Sequence, residues 1–363
     1  MLSQEEHKRY NRHLILEQVG QIGQEKLKAS KVLVVGAGGL GCPVLQYLTA
    51  AGVGTIGIID FDTVSLSNLQ RQILFTTDDV GKNKAQAAAD RLVLLNSFIR
   101  FHVFTERLTT KNALDLFSRY DLIVDGTDNF STRYLVNDAC VLTNKPFVFG
   151  SIYTFEGQVS VFNYEGGPSY RCLFPTPPKA GSVKNCSVIG VLGVLPGIIG
   201  TQQANEVLKF ILGIGEPLSG KLLIYDALNA SSMVLTVQRS ANEIERVLQK
   251  REEFEHYDYD LFCGLQGAEL NQISLQVFKT MLEDESVRII DLREEWEEPQ
   301  LSGSNVERIT MSEILTKKER FQTDKRLVLI CQTGSRSANV RQLLAREGWD
   351  GILELKGGMQ EYE

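Results

Sequence analysis

The run Val32-Leu33-Val34-Val35 opens directly into Gly36-Ala37-Gly38-Gly39-Leu40-Gly41. Four apolar residues without polar alternation predict a strand buried on both faces, and GxGxxG at its end predicts a turn into a helix. Glycine at the first two motif positions permits the tight turn and brings the backbone within contact of a phosphate, while Gly41 lets the helix pack closely on the sheet. The helix N-terminus then offers unpaired N–H groups to an anion. A second apolar run, Ile56 to Ile59, ends at Asp60, about 20 residues beyond the glycines, where a carboxylate can accept hydrogen bonds from ribose hydroxyls. The stretch from Val32 to Lys84 therefore predicts an α/β nucleotide-binding domain with a largely parallel sheet.

GxGxxG alone also serves dinucleotide cofactors, so the residues downstream decide the nucleotide. Asp60 is followed by Asp62, by Ser67-Asn68-Leu69-Gln70-Arg71-Gln72 and by Gly81-Lys82-Asn83-Lys84. Arg71, Lys84 and a side-chain amide put two cations and an uncharged donor beyond the ribose carboxylate. Hydride transfer has no use for them, whereas a departing pyrophosphate needs its charge neutralised by fixed donors and Mg²⁺. The plainer alternative is that Arg71 and Lys84 are solvated surface charges. A further strand, Asp121 to Val124, ends in Asp125-Gly126-Thr127-Asp128-Asn129, which in a doubly wound sheet should face the glycine loop. Asp128 is a candidate Mg²⁺ ligand there, although Asp-Asn after a strand is also helix N-cap chemistry.

The 363 residues suit two domains. A net charge of -7 and a pI near 5.4 argue against nucleic acid or an anionic membrane as the main partner. Met1 to Arg12 is charged throughout and does not read as a signal peptide, and the apolar region Val188 to Gly200 is too short for a span and contains Pro196. These features predict a soluble cytoplasmic protein. Six cysteines at irregular spacing then read as reactive or buried thiols rather than a disulfide framework.

Taken in order, Glu5 to Leu14 reads as one helix carrying Arg9 and Arg12, Lys84 to Leu95 as an amphipathic helix, and Arg100 to Phe104 as a strand. Lys145 to Asn163 reads as two strands turning at Glu156-Gly157, followed by a Pro- and Gly-rich loop, Tyr164 to Cys186. A helix from Pro196 to Leu212 and a strand from Lys221 to Asp226, leading out of the domain, complete residues 1–239. Residues 240–269 read as a linker holding one helix, Asn242 to Lys250. Residues 270–363 repeat a smaller parallel α/β pattern centred on Cys331-Gln332-Thr333-Gly334-Ser335-Arg336-Ser337, between a buried strand and a helix. Loop N–H groups, the helix N-terminus and Arg336 would all favour a thiolate at Cys331. Phosphate-ester cleavage and persulfide sulfur transfer share this arrangement. Arg336 follows Cys331 by five residues, giving a tight ring better matched to one terminal sulfur than to a tetrahedral phosphate.

Residues 8 to 236 resemble the MoeB/ThiF adenylyltransferases, bacterial relatives of ubiquitin-activating enzymes. The resemblance is carried by Arg9-Tyr10-Asn11-Arg12, Gly36 to Gly41, Asp60-Phe61-Asp62, Ser67 to Gln72, Lys84, Thr127-Asp128-Asn129 and Lys221 to Ala227. Residues 271 to 363 resemble a rhodanese domain through Asp291-Leu292-Arg293, Cys331 to Ser337 and Gly357-Gly358. The resemblance implies a Rossmann-like domain that adenylates the C-terminal Gly-Gly carboxylate of a small ubiquitin-fold sulfur carrier with ATP. Sulfur from a donor then passes through a Cys331 persulfide to give a carrier thiocarboxylate. It implies further that Asp60 holds the ribose, that Asn68, Arg71 and Lys84 hold the phosphates, that Asp128 holds Mg²⁺, and that Arg12 completes the neighbouring subunit's site in a homodimer. Asp62, Ser67 and Asn129 join the nucleotide site by the same match. Cys186 aligns with a cysteine that can link covalently to the carrier. A carboxylate nucleophile needs no general base, and none of the four histidines lies in the nucleotide motifs. The family's structural zinc is not expected, because Cys172 is followed by Pro175 where a second thiol should be, and Asp260 takes the partner position near Cys263. The usual rhodanese His-Ile-Pro-Gly segment is here Gln300-Leu301-Ser302-Gly303. The alternatives are a nicotinamide-dependent oxidoreductase with an accessory rhodanese module and a scaffold that binds a ubiquitin-like protein without activating it.

Overall fold

The computed structural model describes residues 1–178, 190–264, 271–314, 321, 323–346, 348, 349 and 351–362. It divides into two compact units, Met1–Thr176 with Val191–Tyr259, and Pro177–Gly190 with Asp260–Glu363. In the first, β1 (Lys31–Val35), β2 (Thr55–Ile59), β3 (Arg100–Phe104), β4 (Leu122–Asp125), β5 (Phe147–Tyr153), β6 (Glu156–Phe162), β7 (Lys221–Asp226) and β8 (Ser231–Thr236) form one sheet in the order β3-β2-β1-β4-β5-β6-β7-β8. β1 to β5 are parallel, and β6 to β8 are added antiparallel. Val32, Val34, Ile56 and Ile58 join Leu45 and Leu48 of the helix Gly41–Ala51, Leu92 of the helix Lys84–Leu95 and Val207 of the helix Val194–Leu212 in one buried core. β1 lies between β2 and β4, the place where strand order reverses and a crevice opens at the strand ends. Val35 pairs with Asp125, so the glycine loop and the 126–129 turn leave the sheet side by side.

Four expectations change in this unit. Glu5 to Leu14 forms two short helices, Gln4–Arg9 and Asn11–Leu14, broken at Tyr10, whose hydroxyl accepts a hydrogen bond from Asn96 Nδ2 at 2.9 Å. The β5–β6 turn falls at Thr154-Phe155, with Thr154 at φ 51°, while Glu156 and Gly157 already pair with β5. The Lys221–Asp226 strand turns back into β8 instead of leading away, giving the sheet an exposed edge. Residues 240–259, read as linker, pack on this unit. Val247 of the helix Ala241–Gln249, Phe254 and Tyr259 are buried, and the Tyr259 hydroxyl donates to Asp138 Oδ2 at 2.8 Å.

In the second unit β9 (Gln272–Ile273), β10 (Val287–Asp291), β11 (Val306–Arg308), β12 (Arg326–Ile330) and β13 (Leu353–Leu355) form a parallel sheet in the order β11-β10-β12-β13-β9. β12 shows why its sequence has no polar alternation. Leu327, Leu329 and Cys331 pack with Val340 and Leu344 of the helix Ser335–Arg346 on one face, and Val328 and Ile330 pack with Phe278 and Met281 of the helix Leu275–Met281 on the other. Among the described residues no helix is long and apolar enough to cross a membrane.

Candidate active sites

The first site is built on the β1 turn. Gly36 takes φ 93°, and a Cβ there would stand 2.9 Å from the Gly126 carbonyl, so only glycine lets the two strand-end loops touch. A Cβ on Gly41 would collide with the Gly36 carbonyl, which explains the third glycine of the motif. Asp60, at the end of β2, accepts the Ala37 N–H at 2.8 Å on Oδ2 and the Asp62 N–H at 2.9 Å on Oδ1. Burial raises its pKa above the ordinary carboxylate value, and the Lys84 charge and the two N–H bonds only partly offset this. The N–H groups of Gly38, Gly39 and Leu40 have no protein acceptor among the described residues, so the helix opens with free donors.

Around this loop the expected side chains converge in part. Lys84 is buried, and its ammonium pairs with exposed Asp62 at 3.0 Å. Arg71 runs past the loop, its Cγ 3.6 Å from where a Cβ on Gly39 would lie, and donates to the Ser67 carbonyl at 3.1 Å. The Asn68 side chain is partly committed, its Oδ1 accepting the Ser65 N–H at 3.2 Å. Asn129 is the N-cap of the helix Phe130–Thr143, accepting the Thr132 N–H at 2.9 Å. Asp125 is fully buried against Arg133 at 3.2 Å, which leaves exposed Asp128 as the carboxylate of that turn open to a ligand. Arg12 is exposed on Asn11–Leu14 and has no hydrogen bond or ion pair among the described residues. Cys186 lies outside the described residues. Gln72, which sequence reasoning did not single out, is buried beside the loop. Its signal was its place in the Ser67-to-Gln72 run, next to Arg71.

The second site is built on the loop that follows β12. Cys331 is fully buried there. Its Sγ accepts the Ser337 N–H at 3.4 Å and lies 3.5 Å from Ser337 Oγ. Arg336 does not hydrogen-bond the sulfur. Its guanidinium engages Glu297 through two bonds, Nη1 to Oε2 at 2.7 Å and Nη2 to Oε1, with the sulfur near enough to add to its charge environment. Burial alone would raise the Glu297 pKa, but the Arg336 hydrogen bonds, the Glu294 N–H and the charges of Arg336 and Arg293 hold it below the ordinary value. The segment bearing Glu297 is tied to the loop again, by Gln332 Nε2 donating to the Glu298 carbonyl at 3.2 Å. Arg293, fully buried, spans from Asp291 at 2.9 Å to Gln332 Oε1 at 3.3 Å. Gly358 approaches so closely that a Cβ would stand 2.5 Å from the Cys331 carbonyl and the Gly334 nitrogen. Of the other thiols, Cys42 is pushed up to about 12 by burial and is no nucleophile.

A nucleotide crevice at a strand-order reversal and a cysteine loop in a second parallel sheet define an adenylating domain and a rhodanese-like domain on one chain. The ThiF family matches residues 10–246 and the rhodanese-like domain residues 274–363, and the chain belongs to the ThiF family. It is 54% identical over 268 residues to the sulfur carrier protein adenylyltransferase of Thermus thermophilus, covering 72% of this chain and 98% of that protein. It is 44% identical over 375 residues to the probable adenylyltransferase/sulfurtransferase MoeZ of Mycobacterium tuberculosis, covering 99% of this chain and 93% of that one. Among solved structures, E. coli MccB with AMPCPP and MccA superposes with a TM-score of 0.56 at 26% identity, covering 64% of this chain and 72% of that one.

Proposed function

We propose that this chain adenylates the C-terminal carboxylate of a sulfur carrier protein with ATP and then replaces AMP by sulfur delivered from Cys331. The observation that carries the reading is the open row of N–H donors at Gly38, Gly39 and Leu40, bordered by Asp60, Arg71 and Lys84. Asp60 accepts from the ribose, while the loop N–H groups, Asn68, Arg71 and Lys84 take the phosphates. Asp128 is exposed with no partner among the described residues and fits a Mg²⁺ ligand, and the ion would supply neutralising charge to the polyphosphate. The carrier's carboxylate, already ionised, attacks the α-phosphorus and pyrophosphate leaves, so the site needs alignment and charge neutralisation but no base. The terminal sulfur of a Cys331 persulfide then displaces AMP from the acyl adenylate, and a second thiol cleaves the resulting disulfide to release the thiocarboxylate. Arg12 supports a homodimer in which it serves the partner's phosphates. The carrier ending Gly-Gly and the sulfur donor complete the reading. It is tested by carrier-dependent exchange of pyrophosphate into ATP together with the carrier's mass after a full reaction. Binding of NAD in place of ATP would favour the oxidoreductase alternative.

A further inference from the structure

One buried polar group in the nucleotide site has no task in the scheme above. Gln72 is 3% exposed, yet its Oε1 is sealed from solvent without a hydrogen-bond donor among the described residues. Oε1 stays unmet whatever binds at the loop, whereas Nε2, which has no acceptor among the described residues, is the end that a ligand can complete. The neighbouring amides do not share the defect, since Asn68 Oδ1 accepts the Ser65 N–H and Asn83 Oδ1 accepts the Gln86 N–H at 3.1 Å. The backbone of Gln72 is fixed, its N–H donating to the Asn68 carbonyl at 2.9 Å and its carbonyl accepting the Phe75 N–H at 3.1 Å. The side chain is aimed at the glycine loop, with Nε2 3.7 Å from where a Cβ on Gly38 would sit. Gly38 and Gly39 present their free N–H groups on the same loop, at the N-terminus of the eleven-residue helix Gly41–Ala51.

We propose that the Gln72 amide donates a hydrogen bond from Nε2 to a non-bridging oxygen of the α-phosphoryl group, an inference that rests on the adenylation reading above. The sealed Oε1 decides the polarity. Only the donor end meets the site, so its ligand must bring an acceptor, and the phosphoryl oxygens that the free Gly38 and Gly39 N–H groups would hold are acceptors on that same loop. As the carboxylate oxygen bonds to phosphorus, the bond to the pyrophosphate oxygen breaks and its electron pair leaves with pyrophosphate. No proton moves, and charge gathers on the oxygens that Gln72 faces. A donor held by burial needs no reorganisation at that moment and acts mainly on kcat. Arg71 and Lys84 supply charge, and Gln72 adds direction.

The test uses the full chain, the sulfur carrier protein on which the Thermus thermophilus relative acts, and pyrophosphate exchange with ATP. Gln72→Leu and Gln72→Met keep the volume and remove the donor. Both should lower kcat on the order of 10²-fold, as for loss of one oxyanion donor, with KM for the carrier within about twofold. Their unfolding midpoints should stay level or rise, because an unpartnered buried amide has gone. With the two diastereomers of ATPαS, the wild-type preference should shrink toward unity in both variants, which a packing role would not produce. A kcat within about threefold of wild type, or an effect confined to KM for the carrier, overturns the assignment. Absence of exchange by the wild-type chain overturns the adenylation reading and Gln72's role with it, whereas intact exchange in the variants overturns Gln72 alone.

Discussion

The glycine-loop site and the cysteine-loop site are both loops between a parallel strand and a helix, yet their charges are arranged in opposite ways. At the glycine loop, the N–H donors are free among the described residues, and buried Lys84 pairs with an exposed aspartate. At the cysteine loop Cys331 is buried and Arg336 is already neutralised by Glu297, whose segment is also tied to the loop through Gln332. The difference fits the ligands proposed for each. A polyanion must find unspent donors, whereas at the cysteine loop the charged groups already satisfy one another. The comparison also separates two steps of one reaction by the residues that each can lose.

Cys331→Ser should produce the largest separation. An alcohol carries no transferable sulfur, so thiocarboxylate formation should fall below detection, on the order of 10³-fold or more, while adenylation stays within about twofold. The measurement is the carrier's mass, read for replacement of oxygen by sulfur, beside pyrophosphate exchange. Thiolation by the variant without added sulfide would move the sulfur donor elsewhere, with Cys186 or an outside protein next in line. Asp128→Ala should do the reverse, lowering exchange on the order of 10³-fold, as expected for a lost metal ligand. Because Asp128 is exposed and has no partner among the described residues, the unfolding midpoint should not change. Arg12→Ala should lose exchange too, and mixing it with Asp128→Ala should restore part of it if Arg12 serves the partner subunit.

What the sequence made legible follows the same division. Wherever backbone geometry forces a residue type, the reading and the structure agree: Gly36 and Gly41 at close approaches, the apolar strands β1, β2, β4 and β12, and the helix Lys84–Leu95. β8 was missed because Ser231 to Thr236 is an exposed edge strand, where no buried face imposes a pattern. Side-chain pairing was hidden for a different reason. Nothing in the spacing of Glu297 and Arg336, 39 residues apart, shows that they meet. The burial of Cys331 comes from packing with Leu329, Val340 and Leu344, which is tertiary as well. Asn129 was legible as a cap and Asp128 as open because a strand-to-helix turn constrains each locally.

Glu297→Gln sharpens the comparison at moderate cost. Removing the charge loosens the segment tied to Arg336 and Gln332 of the Cys331 loop, so alkylation of that thiol by iodoacetamide at pH 7 should quicken on the order of 10-fold, about the worth of one charge-assisted hydrogen bond. The pH dependence has a definite sign. The Glu297 pKa is lowered in the folded chain, so its ion pair contributes stability at and above the ordinary carboxylate range and loses it as pH falls through the depressed value. The stability gap between wild type and Glu297→Gln should therefore be widest near neutrality and close in acid. Tryptophan fluorescence reads it cleanly, since both tryptophans, Trp296 and Trp349, belong to the rhodanese-like unit. An alkylation rate unchanged by the substitution would show that Glu297 does not restrict access to Cys331.

The smallest effect is expected from chelators, and the reason lies where the family's zinc would sit. Cys172 has no nearby thiol in sequence, and its Sγ accepts N–H groups from Ser169 at 3.3 Å and Ser240 at 3.2 Å, joining the loop to residue 240. The next residue back reinforces the same junction. Arg171 reaches Asp138 through two 2.7 Å bonds, and Asp138 also accepts the Tyr259 hydroxyl, so segments 169–175 and 240–259 share one buried anchor. Among the described residues no three His, Cys, Asp or Glu side chains are grouped to hold a metal. A network of this kind does not respond to loss of a cation, because its charges compensate each other. The purified chain should therefore carry well under ~0.2 zinc per molecule by elemental analysis, and EDTA should leave its unfolding midpoint unmoved. Asp138→Asn, by contrast, should lower that midpoint by stranding the Arg171 charge. Roughly one zinc per chain, with a midpoint that falls on chelation, would mean that ligands beyond Cys172 and Cys263 rebuild the site, and that the Arg171 anchor is an addition to the metal rather than its replacement.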